Sequence, residues 1–325
     1  MKLGYIQVEV TSRCGMNCLM CPTRLEEWEG SDMDFNLFKR VSESFSNAKL
    51  IHLQGWGEPI LHPDFEKMVR IAAKHAAVSF TTNGYLIDRL SDETLELCDF
   101  VVISIAGASE ETHRKIRKCS LKPLIENAKR VNRLTNLKLS YMLTKTNIHE
   151  LANAVELAAN LNADFFATNL DYVFDKMSDE LRVFSTPGME KFVEKARERA
   201  KEFGVKTNFP PLEPGEVLVC AENPVENVVI SSDGLVFPCV YLALHLNPIP
   251  RLFNGKMYYI ERRSFGDLNT ERLDDVLDKE SYRTLRETFR KRLWGLEQIA
   301  IWPGTQPRIP QLPETCRTCY KAYDL

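Results

Sequence analysis

The chain has no uninterrupted run of eighteen apolar residues, which excludes a helical membrane span of ordinary length. It also has no strong charge imbalance. Lys plus Arg number 42 against 45 Asp plus Glu, a formal net charge of −3, whereas a chain built to grip nucleic-acid phosphates carries a basic excess. Nucleic acid and membrane are therefore not the expected partners. No apolar stretch follows a basic start in MKLGYIQVEVTSRC, so no export signal is legible and a cytoplasmic location is expected. Histidine is sparse, with 6 residues scattered along the chain. At 44% hydrophobic and 27% charged, the composition is that of a folded globular protein. Its 325 residues suit one large domain with an appendage.

Cysteine is not sparse. Nine thiols in a reducing compartment read as metal ligands or redox groups before they read as disulfides. Seven of them fall into two groups, Cys14, Cys18 and Cys21 near the start, and Cys220, Cys239, Cys316 and Cys319 toward the end. Cys98 closes an amphipathic stretch and reads as core; Cys119 follows a charged stretch and reads as incidental.

From Tyr5 to about Val173, short β-branched and aromatic runs alternate with amphipathic stretches, the pattern of repeated βα units and a parallel sheet. Six strands are predicted: Tyr5 to Val10, Leu50 to Gln54, Val78 to Thr82, Phe100 to Ile105, Leu137 to Leu143 and Asp164 to Leu170. Asp34 is expected to cap one helix, and Asn147 with Glu150 to form a capping box on another. Six units fall short of a closed eightfold barrel. The expected fold class is therefore α/β, a partial (β/α)6 TIM-like barrel with functional groups at the C-terminal strand ends. Pro210, Pro211 and Pro214 break the rhythm, so the barrel is placed at residues 1–209. Residues 210–325 are expected to form a small irregular metal-binding domain, with a hairpin turning at Asp233-Gly234, helices around Leu273 to Trp294, and an extended stretch from Pro303 to Pro313.

Cys14-x3-Cys18-x2-Cys21 follows the first strand on a loop. Soft thiolates select zinc, copper(I) or iron-sulfur clusters. Zinc would need a fourth ligand, such as His52, whereas three close cysteines hold three irons of a cubane and leave the fourth open. Further motifs end the next strands: Gly55-Trp56-Gly57-Glu58-Pro59, then Thr81-Thr82-Asn83-Gly84, then Ser104. Glycines let backbone approach a ligand closely, and a carboxylate accepts hydrogen bonds from an ammonium.

In this order the motifs resemble the radical S-adenosylmethionine (SAM) family, over roughly the first 175 residues. The resemblance implies a SAM-binding [4Fe-4S] cluster on Cys14, Cys18 and Cys21. It implies SAM contacts from Gly55, Gly57, Glu58, Thr82, Asn83 and Ser104, with Met20 near adenine. Two positions depart from the family pattern: Met20 replaces the usual aromatic residue, and Ala106 stands where many relatives have Asp. A thioether can still pack on a purine face.

Four thiolates from Cys220, Cys239, Cys316 and Cys319 would close a site completely, as a zinc ribbon or as a [4Fe-4S] cluster, and spacing alone does not choose. Gly234 before Cys239, and Phe265-Gly266-Asp267 leading into Leu273, Val276, Tyr282 and Leu285, resemble the SPASM and twitch auxiliary-cluster domains. That resemblance implies a second [4Fe-4S] cluster in place of zinc.

The implied activity is that of a radical SAM oxidoreductase or maturase. It would split SAM reductively to a 5′-deoxyadenosyl radical and abstract hydrogen from a peptide, sugar or cofactor precursor, for oxidation, cross-linking or maturation. An external one-electron donor such as flavodoxin or ferredoxin is implied as partner. Asn169, Asp171, Tyr172 and the loop from Tyr241 to Tyr259 are candidate substrate contacts by position. Two rival readings are an iron-sulfur carrier or scaffold with a structural zinc appendage, and an RNA-modifying radical enzyme. The GxGEP and TTNG motifs argue against the first and the net charge against the second. His62 and His113 read as structural, and the RETFRKR run reads as a solvated helix face.

Overall fold

The computed structural model describes residues 2–301 and 309–325, the side chains of 296–301 excepted. Six parallel strands follow chain order: β1 (Leu3–Val8), β2 (Ala48–Leu53), β3 (Ala77–Thr82), β4 (Phe100–Ile105), β5 (Asn136–Leu143) and β6 (Asp164–Asn169). All six coincide with the strands expected from sequence, to within a few residues at each end. Their branched side chains, among them Ile6, Val8, Ile51, Leu53, Val78, Ile103 and Leu139, are fully buried beneath the crossover helices. Burial of both faces is what a parallel sheet demands.

The helices are α1 (Phe35–Ser42), α2 (Phe65–Ala72), α3 (Asp92–Glu96), α4 (Glu110–Arg117), α5 (Leu121–Leu134), α6 (Leu151–Asn160), α7 (Lys176–Leu181) and α8 (Glu190–Phe203). Asp34 caps α1 as expected, accepting from the amides of Asn36 at 2.9 Å and Leu37 at 3.0 Å. The capping box at Asn147 is absent. The Asn147 amide instead donates to the carbonyls of Ala106 and Met142, and Glu150 reaches across to the start of α4. A short 3-10 turn (Ile148–Glu150) therefore precedes α6. Long-range partners outcompeted the local cap.

A two-residue strand, β7 (Thr207–Asn208), extends the sheet beyond β6. The later region was expected to be irregular, yet it adds strands to the opposite edge. Here β8 (Val228–Ile230) pairs in parallel with β1, and β9 (Leu235–Phe237) pairs antiparallel with β8 through the turn at Asp233-Gly234. Gly234 has φ +86°, the left-handed conformation that favours glycine. After β10 (Ile249–Phe253) and β11 (Lys256–Ile260), which pair separately, β12 (Gly266–Asp267) closes on β9. The sheet thus has ten strands in the order β12-β9-β8-β1-β2-β3-β4-β5-β6-β7, open at both ends, and runs across residue 210. The helices expected around Leu273 to Trp294 are α9 (Leu273–Asp278) and α10 (Glu280–Ile301). Pro303 and Pro307 lie outside the described residues. Among the described residues no helix is long and apolar enough to cross a membrane.

Candidate active site

The cysteine loop after β1 is fixed by backbone contacts on two sides. The Leu19 amide donates to the Ile116 carbonyl at 3.1 Å, tying the loop to the end of α4. On the other side the Glu58 amide donates to the Arg13 carbonyl at 2.8 Å. A methyl group at Gly57 would stand 2.3 Å from the Thr11 carbonyl oxygen, and one at Gly55 would stand 2.1 Å from Cγ of Glu9. Only glycine allows the loop after β2 to lie this close to the loop after β1.

All ten residues expected at the first centre line one cavity of about 260 Å³ at the C-terminal strand ends: Cys14, Cys18, Cys21, Met20, Gly55, Gly57, Glu58, Thr82, Asn83 and Ser104. Glu58 is buried, 2% exposed. It accepts from the Thr82 hydroxyl and from the Asn83 amide, each at 2.7 Å. Burial pushes its carboxyl up to about 7, against the opposing pull of those two donors. Thr82 at the end of β3 and the Asn83 amide just beyond it therefore hold this carboxylate in the cavity. Burial likewise raises the Cys14 thiol to about 12 and raises that of Cys21, so metal must displace protons when it binds.

Met20 packs with Cys18, Met16, Met142 and Leu170 in one apolar cluster on the cysteine side. Ala106 is wholly buried beside it and does not line the cavity. Arg117, the last residue of α4, also lines the cavity, and its Nε is buried without a partner. Sequence reading missed it, because EETHRKIR looks like any charged helix. Its one signal is the position at the end of the helix after β4.

The bland readings of the histidines hold. His52 sits outside the cavity, between Ser79 at 2.7 Å and Gln54 at 2.6 Å, and burial lowers it to about 4. It completes no metal site with the cysteine trio. His62 bonds the Met33 carbonyl. His113 is buried against Tyr85. Cys98 is in the core.

Of the candidate substrate contacts, Asp171, Tyr172 and Tyr241 line the same cavity. Asn169 does not; its amide donates to the Pro211 carbonyl at 2.8 Å. Most of the loop from Tyr241 onward turns into the β10-β11 hairpin, and Tyr259 is 68% exposed.

Cys220, Cys239 and Cys316 line a second cavity of about 320 Å³. Cys319 lies alongside, its amide on the Cys316 carbonyl at 3.1 Å, and its charge is felt by the other three. Burial raises Cys220 to about 12 and Cys316 to about 11. Buried Arg251 and Arg292 and the ammonium of Lys321 surround these thiols and offset their charge once ionised. Three thiols line each cavity, Cys14, Cys18 and Cys21 the first and Cys220, Cys239 and Cys316 the second. Thiolates in such cavities are the donors that iron-sulfur clusters take.

Comparison with known proteins agrees with this chemistry. The Radical SAM superfamily matches residues 8–158, and the SPASM iron-sulfur cluster-binding domain matches residues 220–320, a span that contains all four later cysteines. The tungsten-containing aldehyde ferredoxin oxidoreductase cofactor-modifying protein of Pyrococcus furiosus is 28% identical over 90% of this chain and 85% of its own length. A probable GTP 3',8-cyclase of Saccharolobus islandicus is 27% identical over 74% of this chain and 83% of its own. In fold, anSMEcpe with bound AdoMet and Cp18Cys peptide superposes with a TM-score of 0.65 at 15% identity, covering 99% of this chain and 96% of the other. SuiB of Streptococcus suis, solved with S-adenosylmethionine, gives 0.65 at 14%, covering 88% and 68%. The chain belongs to the radical SAM superfamily, with a [4Fe-4S] cluster and SAM as cofactors and a further iron-sulfur cluster in a C-terminal SPASM domain.

Proposed function

We propose that this chain cleaves SAM reductively in the first cavity and uses the resulting radical to take a hydrogen atom from a cofactor precursor, completing its oxidation or maturation. The observation that carries the reading is the convergence of three thiols, a buried carboxylate and the ends of β2, β3 and β4 on one cavity. The cofactor-precursor reading draws on the P. furiosus relative, which matches nearly the whole chain.

Cys14, Cys18 and Cys21 would hold three irons of the cluster. Glu58 would accept the SAM ammonium, kept in place by Thr82 and the Asn83 amide. Gly55 and Gly57 would let backbone approach the nucleoside, and Ser104 would add a polar contact. Arg117, with a free Nε in the cavity wall, would take the SAM carboxylate. Met20, Met142 and Leu170 would cover adenine. When bound, the cluster supplies the electron that splits SAM into methionine and a 5′-deoxyadenosyl radical. The aromatic side of the cavity keeps water and competing hydrogen donors away from that radical. Cys220, Cys239, Cys316 and Cys319 would hold the second cluster, which would take the electron left on the substrate. A flavodoxin or ferredoxin would supply the first electron, in the cytoplasm.

Anaerobic reconstitution tests this. The wild-type chain should take up about eight irons and form 5′-deoxyadenosine from SAM under strong reductant. Cys18→Ala should retain about four irons and form none. A fully loaded wild-type protein that makes no 5′-deoxyadenosine is not a radical SAM enzyme but a carrier.

A further inference from the structure

Seven buried side-chain polar atoms find no hydrogen-bond partner among the described residues, and three of them lie around the second thiol group: Arg251 Nε, the Tyr282 hydroxyl and the Thr318 hydroxyl. A buried donor left unpaired costs free energy, and native folds pair nearly all of theirs. Three at one centre call for one cause.

Each is brought there by a different element. Arg251 lies on β10 and is 4% exposed. Its other two nitrogens donate to the carbonyls of Thr315 at 2.6 Å and Tyr241 at 3.2 Å, so the guanidinium plane is fixed and Nε is left over. Its charge acts on Cys316 and Cys319, favouring the thiolates against the larger effect of burial. Thr318 stands between those two cysteines, in the turn closed by the Cys319 amide on the Cys316 carbonyl at 3.1 Å. Tyr282 is wholly buried on α10. Its ring meets Phe265 edge-on with centroids 4.9 Å apart, and Phe265 lines the second cavity beside Cys239. Burial raises the Tyr282 phenol, the charge of Arg286 opposes that rise, and the charge of Cys239 adds to it. Tyr282 therefore keeps its proton and remains a donor.

The guanidinium can only donate, and both hydroxyls are able to. The acceptors common to all three are sulfur atoms, once the cysteines have given up their protons to metal. A hydrogen bond to an anionic acceptor strengthens as negative charge accumulates on it, so donors to cluster sulfur favour the reduced form. We propose that Arg251 Nε, Tyr282 and Thr318 form a donor shell for the sulfurs of the second cluster and raise its reduction potential. The proposal rests on the reading that Cys220, Cys239, Cys316 and Cys319 hold that cluster, and it adds the positioning residues that tune it.

The test is an anaerobic redox titration of the reconstituted full chain, followed by electron paramagnetic resonance. It is made in the Cys18→Ala background, where the remaining iron belongs to the second cluster and its signal stands alone. Tyr282→Phe and Thr318→Val each remove a hydroxyl and little else. Each should lower the constant for one-electron reduction by roughly three- to tenfold, a downward shift of about 28 to 59 mV, with iron held at about four per chain. Arg251→Gln removes a full charge as well as the donor and should lower it further. The two hydroxyl variants carry the test if Arg251→Gln does not fold. A purely structural role for Tyr282 would leave the potential where it was, since phenylalanine keeps the ring. A potential unchanged or raised in both hydroxyl variants overturns the proposal and assigns these donors to water, while the ligand reading stands on the iron count. A Cys18→Ala chain that takes up zinc, or no iron, overturns the ligand reading itself.

Discussion

Glu58 shows how one side chain sets the working range of the site. Burial raises its carboxyl to about 7, and the Thr82 and Asn83 donors only partly offset that rise. A carboxylate with a raised folded value disfavours folding once it ionises, so the empty protein is most stable with Glu58 neutral. An ammonium in the cavity reverses the balance by stabilising the ionised form. SAM affinity should therefore fall by up to about tenfold per unit as pH drops below about 7, the slope of one coupled proton. Glu58→Gln should remove that slope and bind SAM more weakly at pH 8. A pH-independent SAM dissociation constant in the wild type between pH 5.5 and 8 would show that Glu58 does not meet the ammonium. Gly55 and Gly57 belong to the same scale: the GxGE motif is legible in sequence, yet its reason is the crowding of Glu9 and the Thr11 carbonyl, residues far off in the chain.

At the scale of elements, α4 connects parts that sequence keeps separate. Its N-terminus is set by Ser109, whose hydroxyl accepts from the Thr112 amide and donates to Glu150 at 2.6 Å. Glu150 also accepts from the amides of Ala108 and Ser109 and from the Thr112 hydroxyl. Burial works to raise the Glu150 carboxyl, and these donors outweigh it and lower it. A depressed folded value adds stability at neutral pH that fades as pH falls through that value. At its other end α4 carries Arg117 into the cavity and the Ile116 carbonyl that anchors the cysteine loop. Glu150→Ala should cost about 1–3 kcal/mol, read from the urea midpoint. It should also weaken SAM binding, although Glu150 lies outside the cavity. A loss of stability with unchanged SAM affinity would mean that α4 does not position Arg117 and the loop.

At the scale of the whole molecule, one ten-stranded sheet runs between the two thiol-lined cavities, and this is where sequence was least informative. The six βα units were legible because each strand's apolar run and each helix's periodicity are local. The cysteine groups were legible because thiolate chemistry narrows the choices. Edge pairing was not: the parallel contact of β8 with β1 joins residues 222 positions apart, such as Ile6 and Val228, and two short strands carry no signal of register. The position of Arg117 and the fate of Glu150 were hidden for the same reason. Glu9 reinforces the junction, accepting at once from Trp56, from the Ser232 amide and from His245 at 2.6 Å. Strand pairing and Glu9 hold this edge through contacts that involve no thiol. Cys316 enters from the C-terminal segment, after α10, and holds none of these contacts. Cys316→Ala should therefore lower iron from about eight to about four and reduce thermal stability, while SAM cleavage without substrate stays measurable. The remaining iron should still give a dithionite-reduced electron paramagnetic resonance signal that shifts on adding SAM. A variant that loses this signal together with the second cluster would show that the later cysteines support the barrel edge as well, and that the sheet does not stand without them.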